Sequence, residues 1–186
     1  MVDMTFEPEM RELLAKMKGK TFKSFECRLI EEWGYIASPL RINLGSFAVD
    51  LECWFKEVPG WKELDPYDWP TCLTCSEAEL GSAFFPERKS IAEYLVGERI
   101  TGVEIVNDRI EMDGEPDGSV DVALVIRTKS CAYTFSRDIW FNYVMQYREG
   151  DVSEVPYTVE KCAADWAEGT DYAPVLPTVT RTTFAL

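Results

Sequence analysis

Residues 40–55, LRINLGSFAVDLECWF, restrict the fold more than any other stretch of the chain. Leu40, Ile42 and Leu44 alternate with Arg41 and Asn43; Phe47, Val49, Leu51, Cys53 and Phe55 alternate with Ala48, Asp50, Glu52 and Trp54. A period of two over this length reads as half-buried strands. Gly45-Ser46 between the runs suits a two-residue turn with glycine at its first central position. Leu44 then faces Phe47, Ile42 faces Val49 and Leu40 faces Leu51, so every apolar side chain falls on one side of the sheet.

Upstream, FEPEMRELLAKMKG (6–19) reads as a helix. Pro8 suits the first helical position, Met10, Leu13, Leu14 and Met17 fall on one face, and Gly19 is placed for a left-handed cap. The aromatic and apolar residues of KTFKSFECRLI (20–30) follow as a strand. Residues 84–97, FFPERKSIAEYLVG, echo the helix 78 positions later. Phe6 maps to Phe84, Pro8 to Pro86, Leu13 to Ile91, Met17 to Leu95, Gly19 to Gly97, Phe22 to Ile100, Phe25 to Val103 and Glu26 to Glu104. A second hairpin is expected in VDVALVIR (120–127) and CAYTFS (131–136), turning at Lys129-Ser130. Val120, Val122, Leu124 and Ile126 would point inward, with Ile126 facing Tyr133 and Leu124 facing Phe135.

The order helix, strand, hairpin therefore occurs twice, and the expected fold class is α+β. It is a single domain over 1–186, built from two pseudo-symmetric halves (6–57 and 84–150) that form a mainly antiparallel sheet or a six-stranded partial barrel with helices packed on it. Residues 58–83, rich in turn formers, read as a connecting excursion with one short helix near Ser76–Leu80. Residues 137–150 fit both a helix, through Ile139, Trp140, Tyr143, Val144 and Tyr147, and a strand with alternating Ile139, Phe141, Tyr143, Met145 and Tyr147. The C-terminal extension, 151–186, offers a helix around Val159–Trp166 and then a Pro- and Thr-rich end that is either loose or laid along the body.

Chemistry is bounded first by what the chain lacks. Its 186 residues contain no histidine, which excludes Ser-His-Asp and Cys-His nucleophile arrangements and histidine-ligated zinc. Against 19 basic residues stand 33 acids, a formal net charge of -14, which disfavours direct nucleic-acid binding and repels anionic membrane surfaces. No signal peptide or apolar run long enough to span a membrane is visible, so a cytoplasmic protein with six reduced cysteines is expected.

Four groupings are candidates for a site. Cys72 and Cys75 form a CxxC that shares a zinc only if two more ligands join it, and the favoured reading has no metal and no cofactor. DGEPDG (113–118) imitates the start of a calcium loop, yet Leu124 stands where the bidentate glutamate belongs, so an acidic turn between strands is expected. Glu104, Asp108, Glu111, Asp113, Glu115, Asp117 and Asp121 lie close in sequence against Arg109 alone, as a candidate acidic surface. Glu26 and Glu104, at matching places in the two copies, are the carboxylates to inspect for acid–base work.

The expected function is that of an acidic cytoplasmic binding protein acting through contacts with a basic protein partner. Its concrete forms are an immunity protein, of bacterial or phage type, or an inhibitor of a nucleic-acid-processing enzyme. The alternative is a small-ligand module with a pocket between the halves lined by Trp54, Tyr133 and Trp140. A histidine-independent enzyme using carboxylates is the third reading, and the balance leans away from catalysis.

Overall fold

A computed structural model describes residues 1–30, 35–57, 70–79, 91–113, 117–138, 143–151, 153–169 and 176–186. In chain order the elements are β1 (Val2–Met4), α1 (Pro8–Ala15), β2 (Thr21–Ile30), β3 (Tyr35–Asn43), β4 (Ala48–Phe55), β5 (Thr71–Ala78), β6 (Ile91–Arg99), β7 (Gly102–Glu111), β8 (Gly118–Arg127), β9 (Ala132–Arg137), β10 (Val144–Gly150), α2 (Val159–Gly169) and β11 (Thr178–Ala185). Strand accounts for 61% of the described residues, which form only two helices.

One sheet connects all the strands. Its main path, β11-β7-β8-β9-β10-β3-β2-β6, is antiparallel throughout, with β1 added in parallel to β8, and β4 carrying β5 beside β3. Strand β3 is the branch point. Tyr35–Ala37 pair with β10 and Leu40–Asn43 pair with β4, while β2 skips Ser38 and Pro39. Ser38 serves both arms, since its N–H donates to the Tyr143 carbonyl at 3.2 Å and its hydroxyl accepts from the Cys53 N–H at 2.8 Å.

The path curls into an eight-strand half-barrel. Its last strand leads directly into its second: Ile100 N–H donates to the Lys20 carbonyl on the β2 side, and Thr101 N–H donates to the Arg127 carbonyl on the β8 side. Glu98 fastens the same end by accepting from the N–H and hydroxyl of Ser130 in the β8–β9 turn. The half-barrel encloses Leu13, Leu14 and Met17 of α1 together with Phe22, Phe25, Leu124, Ile126, Phe135 and Met145. Phe25 lies 4.7 Å from Tyr94, 5.3 Å from Phe135 and 5.1 Å from Tyr147, ring to ring. A second apolar layer covers β7 and β8 from outside, where Tyr157, Cys162 and Trp166 meet Val2, Met4, Val106, Val120 and Val125.

Much of the first hairpin matches its expected register, with Leu40 opposite Leu51, Ile42 opposite Val49 and Gly45 at a φ of 83°. The second hairpin places Ile126 opposite Tyr133 and Leu124 opposite Phe135, as expected. Residues 144–150 are strand, the helix near Val159 forms, and the C-terminal end is laid along β7 over its full length.

The two-half α+β domain is overturned. Residues 91–97, expected to be helical, belong to strand β6, while 84–90 lie outside the described residues. The helical stripe required Ile91 and Leu95 to be buried together, whereas Leu95 is 83% exposed and its neighbours Tyr94 and Val96 pack on the core. Tyr94 and Val96 are residues that suit a pleated, half-buried surface. Gly97 does take a positive φ, 74°, but as part of a bulge in which Val96 and Gly97 oppose Lys23, not as a helix cap. The excursion contributes strand β5 where a helix near Ser76 was expected; Leu80 is outside the described residues. A bulge also divides β8, because Val106 faces Ala123 while Asn107 faces Asp121. Val122 is the extra residue, so Val120 and Val122 join the outer layer and only Leu124 and Ile126 point inward.

Candidate acidic binding surface

The seven acids grouped by sequence separate into two populations once folded. Asp108 is fully buried and held by Arg181 across β7 and β11, Nε to Oδ1 at 2.7 Å and Nη2 to Oδ2 at 2.6 Å. The two residues stand directly opposite in register, which lets a planar guanidinium meet the carboxylate with two parallel hydrogen bonds. Asp121, also fully buried, accepts from the Phe6 N–H at 2.8 Å, from Asn107 Nδ2 at 2.8 Å and from Arg11 Nη2 at 3.1 Å. Burial pushes its carboxyl above the ordinary 3.8, against the pull of those hydrogen bonds and of Arg11. Glu104 is engaged by Arg127 at 2.5 and 3.0 Å. These three acids are internal fastenings rather than surface.

Glu111, Asp113 and Asp117 remain together. They line a hollow of about 400 Å³ where β7 ends and β8 begins, with Met112, Leu176 and Thr178 completing its wall. Thr178 stands opposite Glu111, so the start of β11 brings the exposed Leu176 beside the carboxylates. Arg109 is the cation placed among them, with Nε 2.9 Å from Glu111 and Nη2 4.0 Å from Asp117. All three partners in these contacts are substantially solvated, so each pair contributes about 0.2–1 kcal/mol and leaves the carboxylates available to another cation. Glu115 is outside the described residues. Leu124, at the position a calcium loop reserves for glutamate, is fully buried. Among the described residues no three metal-ligating side chains are grouped so that they could hold a metal ion.

Cys72 and Cys75 are not brought together. Three residues apart on β5, they point to opposite faces, Cys75 into the half-barrel and Cys72 into the outer layer. Both thiols are pushed up by burial, Cys72 to about 11 and Cys75 to about 12, which makes them poor ligands and nucleophiles. None of the six cysteines forms a disulfide. Tyr133 packs edge-on against Phe22 inside the core at 5.2 Å, whereas Trp54 is open to solvent, so these two do not line a common pocket. Trp140 lies outside the described residues. Glu26 accepts from Asn43 Nδ2 at 2.9 Å on β3, while Glu104 is paired with Arg127 on β8.

One polar feature escaped the sequence reading. Arg137 is fully buried at the end of β9, its Nη2 3.3 Å from Thr71 Oγ1 and its guanidinium carbon 5.4 Å from the centre of the Tyr157 ring. The adjacent Asp138 is held by Lys161 at 2.8 Å and by Gln146, which ties the end of β9 to α2 and β10. Thr71 and Tyr157, which cover Arg137, are distant in sequence on either side, so nothing local in AYTFSR marks its burial.

No helix among the described residues is long and apolar enough to cross a membrane. Compared with known protein families, with curated proteins and with solved structures, the chain matches none.

Proposed function

We propose that the chain is a cytoplasmic, acidic binding protein that holds a basic protein partner at the Glu111–Asp113–Asp117 hollow, in the manner of an immunity protein or of an inhibitor of a nucleic-acid-processing enzyme. One observation carries this reading: three carboxylates that, among the described residues, have Arg109 alone between them are left solvated around a concave surface, while Glu104, Asp108 and Asp121 nearby are neutralised internally. The net charge of -14 supports it, since a field of one sign speeds encounter with an oppositely charged surface.

The test is capture from a lysate at low salt, followed by elution with rising salt. A basic protein released progressively by salt is the expected result, and capture should fall about ten-fold for Glu111→Gln/Asp113→Asn/Asp117→Asn. Capture of no salt-sensitive partner, or equal capture by the triple variant, contradicts the reading.

A further inference from the structure

Away from the hollow, the end of β4 exposes an aromatic pair. Trp54 is 55% and Tyr143 49% solvent-exposed, and their ring centres lie 6.0 Å apart at 39°. Phe55 closes one side at 6.2 Å from Trp54. Among the described residues no other aromatic side chain is as exposed, and Phe25, Phe135, Tyr157 and Trp166 are buried.

Glu52 precedes Trp54 by two residues on the same strand, so both side chains rise from one face of the sheet. Its carboxylate is partly desolvated and makes no ion pair with a described residue; burial and the neighbouring Asp50 push its pKa above the ordinary 4.5. Asp50 is already satisfied by Arg41, at 2.7 and 2.9 Å. Lys56, the next side chain along this face, reaches Glu7 at 3.3 Å instead. An anion that pairs with no described cation, two residues from Trp54 on the same strand face, together with the exposed Trp54–Tyr143 pair, matches the chemistry of a guanidinium, which stacks on aromatic faces and donates to a carboxylate in its own plane.

We propose that Trp54, Tyr143 and Glu52 form a receptor for one arginine side chain of a basic protein partner. The planar cation lies over the rings and its edge donates to Glu52. This rests on the reading that the partner is basic, but it names a second contact, independent of the Glu111–Asp113–Asp117 hollow.

The test uses a short, otherwise neutral peptide with two arginines, and the same peptide with both replaced by isosteric, uncharged citrulline or by lysine. Binding is followed at the Trp54 indole N–H resonance, assigned from Trp54→Phe. The arginine peptide should shift that resonance saturably, the lysine peptide should bind more weakly and the citrulline peptide should have no effect. Glu52→Gln should weaken the arginine peptide about five-fold or more, with unchanged thermal unfolding, and Glu111→Gln/Asp113→Asn/Asp117→Asn should leave it unaltered. Equal binding of the citrulline peptide, indifference to Glu52→Gln, or loss of the shift only in the hollow variant would overturn the proposal. If the lysate captures no partner yet the arginine peptide binds Trp54, the hollow reading fails and this one stands.

Discussion

Arginine and aspartate decide the behaviour of this chain residue by residue, because its acids are divided between buried, paired carboxylates and solvated ones. Removing Arg181 alone strands Asp108 as an uncompensated buried charge, so Arg181→Ala should cost about 3–5 kcal/mol in urea unfolding. Asp108→Leu/Arg181→Met, which removes both charges, should recover most of that loss. Asp121 adds a pH signature. Its folded pKa is raised, so the native state binds this proton more readily than the unfolded chain. The favourable contribution is complete below the ordinary 3.8 and is lost as pH rises through the raised folded value. Wild-type stability should therefore fall relative to Asp121→Asn across that window in urea unfolding measured from below pH 3.8 to neutrality; a constant difference contradicts the assignment.

Glycines at two positions separate backbone strain from packing at the scale of elements. Gly97 has a φ of 74° with nothing within 4 Å of an added Cβ, so Gly97→Ala tests conformation alone and should cost about 1–2 kcal/mol. Gly118 lies under α2, where an added Cβ would sit 2.4 Å from the Trp166 ring, and Gly118→Ala should cost about 1–3 kcal/mol through overpacking. Trimming the ring with Trp166→Phe should make the second substitution less damaging than it is alone, whereas Gly97→Ala should be unaffected by it. The same elements show how far the sequence was legible. Both hairpins could be read because alternation and turn residues are local. Strand β6 could not, since Ile91, Leu95 and Gly97 satisfy a helix pattern as well as a bulged strand, and only pairing with β2 decides between them. The outer layer was equally hidden, because one extra residue at Val122 sends two valines to the opposite face.

At the scale of the molecule, a curled sheet holds α1 within and α2 without, and its charge excess emerges where pairing ends. Counting carboxylates located the acidic segment in advance. It could not separate Asp108 and Asp121 from Asp113 and Asp117, because Arg181 and Arg11 arrive from the two ends of the chain. The claim that the hollow engages a basic partner is tested most directly by the salt dependence of association of that captured partner. Wild type would be compared with Glu111→Gln/Asp113→Asn/Asp117→Asn and with Glu9→Gln/Glu12→Gln/Glu154→Gln, which removes the same three charges from exposed sites elsewhere. The prediction is that the hollow variant associates about ten-fold more slowly at low salt with a shallower salt slope, while the control variant stays within about two-fold of wild type. Equal slowing by both variants would contradict the account, leaving net charge alone as the cause.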